Sequence, residues 1–243
     1  MLRDRYPFAA EVLGSYLAVL DVWELIPEPP DSDLVSWAAS HVVPRVVAAT
    51  EAGGPELLAK AVAEIEDPAA VLAAWLAGAE LGPVERYLAR ASLPVVPAEA
   101  CAGDPAPRDG GHCPRCGGLP QVSVRGESGD ALVSGGRTLA CARCDHSWSF
   151  SASACPACGE TTGAKRTVYA EQHAGPIVSK EGAATFPHLR IDACASCDRY
   201  IIDVDMGRDP RAVPVVDELA ALPLALYAND QGLTKITPNL MGL

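Results

Sequence analysis

The first part of the chain places apolar residues at helical intervals. From Tyr6 to about Leu25, Phe8, Val12, Tyr16, Leu20 and Trp23 recur three or four positions apart, with Leu13 and Leu17 widening the stripe. This predicts an amphipathic helix that ends near Pro27, Pro29 and Pro30. A second helical pattern follows the caps offered by Asp31 to Asp33 and carries Leu34, Ala38, His41, Val42 and Val46, with Pro44 placed to kink or break it. Pro55 and Pro68 stand where first-turn prolines belong and introduce segments with Leu58, Val62 and Ile65, then Val71, Leu72, Trp75 and Leu76. Gly82 and Pro83 precede a short helix through Tyr87 and Leu88.

Residues 93–112 hold four Pro and three Gly and read as a linker. Beyond it the texture changes to short segments punctuated by Gly and Cys, which predicts strands and turns. Helical spacing returns from about Pro214 to Asn229, with Val215, Leu219, Leu222 and Leu226 on one stripe, an interruption at Pro223 and a stop near Gly232.

The chemistry lies in the cysteines. Eight of the nine fall in four CxxC pairs, Cys113/Cys116, Cys141/Cys144, Cys155/Cys158 and Cys194/Cys197. A CxxC turn aims two thiolates at one point, and two such turns complete a tetrahedral shell around a metal. An internal repeat says which turns share an ion. The turns read CPRCG, CARCD, CPACG and CASCD, and RTLACARCD (137–145) matches RIDACASCD (190–198) at six of nine positions. Both copies continue into alternating patterns, Trp148 and Phe150, then Tyr200, Ile202 and Val204. Cys113, Cys116, Cys141 and Cys144 are thus expected to bind one ion, and Cys155, Cys158, Cys194 and Cys197 a second. Pairing the first turn with the third is allowed by count but ignores the repeat. Redox dithiols of the thioredoxin kind are the competing reading, although a Gly or Asp straight after the second Cys suits a tight metal knuckle better. Four thiolates leave no open position, so both sites read as structural, for either zinc or iron.

Other candidates are weaker. Cys101 has no CxxC partner. His112, His146, His173 and His188 enter no defensible catalytic arrangement, and Asp203, Asp205 and Asp209 lack the pattern of a calcium loop and read as an exposed turn. No phosphate-loop or dinucleotide fingerprint is present, so enzyme chemistry has no visible residues to stand on.

Charge narrows the partners. The formal net charge is −12, and residues 1–100 carry 6 basic and 15 acidic groups. An acidic first half is a poor match for phosphate backbones or anionic lipid. The longest mainly apolar run without a charge, Pro68 to Ala79, covers twelve residues, short of a membrane span. Arg3, Asp4, Arg5 and Glu11 interrupt the opening residues, so no signal-peptide core is seen and a cytoplasmic protein with reduced thiols is expected.

The opening RYPFAAEVLGSYL, the motifs CPRCG, CARCD followed by SWSF, and CPACG, the block FPHLRIDACASCDRYI and the ending from DPRAVPVVDELAALPL onward together resemble the formate dehydrogenase accessory protein family, FdhE. The resemblance implies an α+β multidomain chain. Its parts would be an N-terminal all-α helical domain (1–92), a Pro/Gly-rich linker (93–112), two tandem rubredoxin-like or zinc-ribbon CxxC domains (113–150 and 151–205) and a C-terminal helical segment (206–243). It also implies a cytoplasmic, non-enzymatic, chaperone-like factor that binds the molybdenum- or tungsten-containing catalytic subunit of formate dehydrogenase during maturation. Two metal ions per chain, Zn2+ or Fe, would sit at the eight CxxC cysteines. No nucleic acid and no membrane insertion are expected, and a homodimer is left open. The alternatives are a zinc-ribbon nucleic-acid-binding protein and a rubredoxin-like electron carrier.

Overall fold

The computed structural model describes residues 2–30, 33–93, 110–126, 136–171 and 184–242. Cys101, His173 and nearly all of the expected linker lie outside these residues. The chain divides into two compact units, one helical and one built on a sheet.

The helical unit contains α1 (Leu2–Arg5), α2 (Ala10–Glu24), α3 (Leu34–His41), α4 (Val43–Gly53), α5 (Glu56–Ala63), α6 (Pro68–Ala77) and α7 (Pro83–Ser92). Its boundaries follow local chemistry. Pro44 lies in the first turn of α4 and separates it from α3 at Val42, because a proline ring clashes with the carbonyl a turn earlier. The Asp33 carboxylate accepts from the Ser36 amide at 3.2 Å and the Asp67 carboxylate from the Ala70 amide at 3.0 Å, satisfying amides that have no intrahelical partner. Glu85 reaches back to the Gly82 amide at 2.8 Å to open α7, and Gly78, at a φ of 84°, closes α6.

The core of this unit includes Tyr6, Leu13, Val19, Val46, Leu72 and Leu88. The buried face of the first segment is therefore centred on Leu13, Tyr16 and Val19, rotated from the predicted stripe. Phe8 falls in a 3-10 turn (Pro7–Ala9) that resets the phase, and it is 49% exposed. Polar groups in the core are paired. The Thr50 hydroxyl donates to the Val46 carbonyl at 2.7 Å and lies 2.7 Å from the Tyr87 hydroxyl, whose pKa is raised by burial despite that bond. Thr50→Val should strand the Tyr87 hydroxyl and cost about 1–3 kcal/mol, whereas Tyr87→Phe, which leaves Thr50 bonded to Val46, should cost about 0.5–1.5 kcal/mol. Urea titration of both variants checks the order.

The second unit holds β1 (Pro120–Arg125), β2 (Arg137–Cys141), β3 (Ser147–Ser149), β4 (Arg166–Tyr169), β5 (Leu189–Cys194), β6 (Arg199–Asp205), α8 (Pro214–Ala220), α9 (Leu222–Asp230) and β7 (Thr234–Lys235). Each repeat forms three antiparallel strands, and the two repeats join into one sheet of order β3-β2-β1-β6-β5-β4, with β7 also pairing β6. The junction is parallel, Val122 to Ile202 and Val124 to Val204. Because β6 is central, Tyr200 to Val204 are all buried, and the expected alternation of exposed and buried positions is lost.

The two sheet faces differ. Val122, Ile191, Ala193, Ile202 and Val204 make one of them apolar. The other carries Leu139 and Ile201, packed with Ile236, Trp148 and Phe150, beside a row of arginines and aspartates. Asp203 and Asp209 are buried in the fold, which corrects the expectation of an exposed acidic turn. Asp203, on β6, faces Arg125 and Arg190, and these ion pairs offset the cost of its desolvation, while the Asp209 carboxylate accepts from the Arg211 amide at 3.0 Å. At the C-terminal end, Pro223 begins a fresh helix rather than kinking one. The phase therefore resets at Ala221, Leu224 and Ala228 turn inward, and Leu226 is 61% exposed.

Candidate metal centres

All four knuckles are built alike. The residue after each second cysteine, Gly117, Asp145, Gly159 and Asp198, has φ between 53° and 75°, the left-handed region that Gly tolerates and Asp visits more readily than most residues. This bend turns the chain back on itself. The Cys113 amide then donates to the Gly118 carbonyl at 2.9 Å, Cys141 to His146 at 3.0 Å and Cys155 to Glu160 at 2.8 Å. Within the loops, the Arg143 and Ala157 amides each point at a sulfur, Cys141 Sγ and Cys155 Sγ, at 3.4 Å. Donors aimed at sulfur favour the thiolate form that a metal requires.

The eight cysteines assemble as two sets of four, Cys113, Cys116, Cys141 with Cys144, and Cys155, Cys158, Cys194 with Cys197. Within each set the Sγ atoms lie within 4.8 Å of one another. Cys113 and Cys144 are 3.7 Å apart, Cys158 and Cys194 3.7 Å, Cys155 and Cys197 3.9 Å. A regular tetrahedron with metal–sulfur bonds of about 2.3 Å has sulfur–sulfur edges of ~3.8 Å. Both sets fit a tetrathiolate ion, and neither has the ~2.05 Å sulfur–sulfur approach of a disulfide. Burial pushes the Cys155 and Cys197 thiols up, so a cation is what makes four adjacent thiolates tenable there.

A buried ionic net ties the two repeats together. Asp192 on β5 accepts from Arg137 on β2 at 2.7 Å and also from Arg166 on β4. Arg137 further donates to Ser123 Oγ at 2.7 Å, and Ser123 donates to Asp203 at 2.6 Å. Asp203 accepts from Arg125 at 2.7 Å and from Arg190 at 3.3 Å. Arg137 has a side chain wholly out of solvent, and burial lowers its pKa while Asp192 and Asp203 oppose that shift. It is the first residue of the RTLAC repeat, and Arg190 is its counterpart in RIDAC. The repeat thus contained both anchors, but nothing local named their partners.

A second polar cluster surrounds Glu218 on α8, which accepts from Gln121 at 2.9 Å and pairs with Lys235. Next to it on α8, Asp217 lies 3.2 Å from His188 Nε2, both fully buried. His188 is therefore a core residue, for which Asp217 supplies a partner that the sequence distance concealed. His112 and His146 lie outside both cysteine sets. No helix among the described residues is long and apolar enough to cross a membrane.

Two sets of four cysteines on one continuous sheet, each able to hold a metal ion, define the second unit as a double ribbon of metal-binding type. Residues 154–241, which include the third and fourth knuckles, match the family model described as FdhE, C-terminal domain. That stretch is similar to the C-terminal domain of the FdhE family. A curated protein from Aquifex aeolicus (strain VF5), named Protein FdhE homolog, is 30% identical over 131 residues, 54% of this chain and 41% of that protein. A Pseudomonas putida protein of the same name is 30% identical over 130 residues, 54% of this chain and 38% of its own length. The match thus spans about two fifths of these curated relatives. The crystal structure of the FdhE protein from Pseudomonas aeruginosa has a similar fold, with a TM-score of 0.63 at 20% identity, covering 95% of this chain and 87% of that one.

Proposed function

We propose that this protein is an accessory factor for the maturation of a formate dehydrogenase, a chaperone-like partner that binds the enzyme's catalytic subunit in the cytoplasm. The observation that carries the reading is the FdhE C-terminal match, which runs through Cys155, Cys158, Cys194 and Cys197 and on through both C-terminal helices. Cys113, Cys116, Cys141 and Cys144 hold one ion and the other four cysteines a second, each Zn2+ or Fe. When bound, these ions supply cross-linking of four chain segments rather than a Lewis-acid position, since four sulfurs fill the shell.

The surroundings agree with a scaffold. The His188–Asp217 pair is sealed from solvent and cannot meet a substrate. Arg125, Arg137, Arg166 and Arg190 are engaged by carboxylates, which removes them from the contacts that phosphate binding would need.

Affinity purification of the tagged protein from its native host under anaerobic conditions tests this. A formate dehydrogenase catalytic subunit should co-purify, at a yield reduced when Cys141 and Cys144 are changed to Ala. Recovery of RNA or transcription complexes in its place would overturn the reading.

A further inference from the structure

The two cysteine sets share their geometry but differ in access. In the first set all four cysteines are buried; in the second Cys155 and Cys194 are buried, Cys197 is half-buried and Cys158 is exposed. A thiolate-bound ion is exchanged when an incoming ligand can reach it and one bound sulfur can swing clear. Only the second set contains an exposed cysteine.

Access alone would make the site fragile, because in small ribbons the ion is what holds the fold. Here the second ribbon has other anchors. Strand β5 pairs with β6 from Leu189–Val204 through Cys194–Arg199, and β6 pairs with β1 of the first ribbon. Arg137 reaches from the first ribbon to Asp192, two residues before Cys194. The knuckles themselves are clipped together by Glu160. Its carboxylate accepts from the Thr162 amide at 2.8 Å and from the Ser196 hydroxyl at 2.7 Å, Ser196 lying inside the fourth knuckle and Glu160 just after the third.

We propose that the two sites divide their roles: the first keeps its ion, and the second is an exchange site for a thiophilic divalent cation, opening at Cys158. The step is ligand substitution. With an ion bound, an incoming thiolate or chelator donor would take the coordination position of Cys158 Sγ, and the displaced Cys158 thiolate would take a proton from water. No oxidation state changes. Ser196, Glu160 and the Arg137–Asp192 pair keep the knuckles apposed so that an ion can re-enter without refolding the ribbon. The inference rests on the tetrathiolate geometry and does not require the formate dehydrogenase reading.

The test uses the full chain loaded with Zn2+ and an excess of a coloured zinc chelator. Release should be biphasic, with one equivalent leaving at least about tenfold faster than the other, as expected where the shell around a site controls access to it. The near-ultraviolet circular dichroism should persist through the fast phase. Iodoacetamide labelling of the same wild-type protein, mapped by mass spectrometry, should modify Cys158 first and Cys197 next, before any cysteine of the first set. Glu160→Gln should accelerate the fast phase and leave the slow one unchanged. Release of both equivalents at one rate, or labelling of Cys113, Cys116, Cys141 or Cys144 ahead of Cys158, overturns the proposal.

Discussion

Stripping both ions from the metal-loaded protein with excess strong chelator at neutral pH is expected to unfold the sheet-bearing unit. An ion held by each set would tie together segments that are otherwise distant, Cys113 to Cys144 across the first repeat and Cys155 to Cys197 across the second. Structural ions of this kind contribute binding free energy on the order of 10 kcal/mol, which in small ribbons is folding free energy. Removal of both ions exceeds the whole stability of an ordinary domain, about 5–15 kcal/mol, once two sites are counted. The ionic net that survives loss of the second ion does not offset loss of both. Strand signal and the near-ultraviolet bands of Trp148 and Tyr200 should collapse, while helical far-ultraviolet signal from the N-terminal unit remains. Retention of the strand signal at complete metal removal would show that the sheet stands without its ions.

The second large effect belongs to Asp192. Replacing it with Ala in the metal-loaded protein is expected to cost about 3–5 kcal/mol, because it leaves buried cations without their carboxylate. Arg137 is wholly buried and Arg166 nearly so, and both converge on this one side chain. Arg137→Met combined with Asp192→Leu should cost less than Asp192→Ala alone, since removing both charges of a buried pair avoids the unpaired one. Guanidinium titrations monitored at Trp148 settle the order. A loss under about 1 kcal/mol for Asp192→Ala would mean that solvent reaches the net and screens it.

The grouping of the cysteines into two sets and the helix boundaries were legible because their signals are local. A Gly or Asp after each second cysteine is a direct imprint of the positive φ that closes a knuckle, and Pro44, Pro68 and Pro83 mark helix starts through sterics alone. The ionic net was not legible. Arg137 and Asp192 are 55 positions apart, and an isolated Arg or Asp in sequence is by default a solvated residue. The same limit hid Asp203, His188 and the pairing of β1 with β6, each of which depends on which strand becomes a neighbour. Leu226 failed for a different reason, since a proline that restarts a helix shifts the phase of every later residue.

The order β3-β2-β1-β6-β5-β4 has a consequence for how the chain is made. On a ribosome, the first hairpin can close as soon as β2 emerges, but the neighbour of Val122 is Ile202, and that of Arg125 is Asp205. At about 5–20 residues per second, β1 waits roughly 4–16 s with one edge open. During that interval Cys113, Cys116, Cys141 and Cys144 are all available, so the first ion can be captured on a nascent chain whose final sheet does not yet exist.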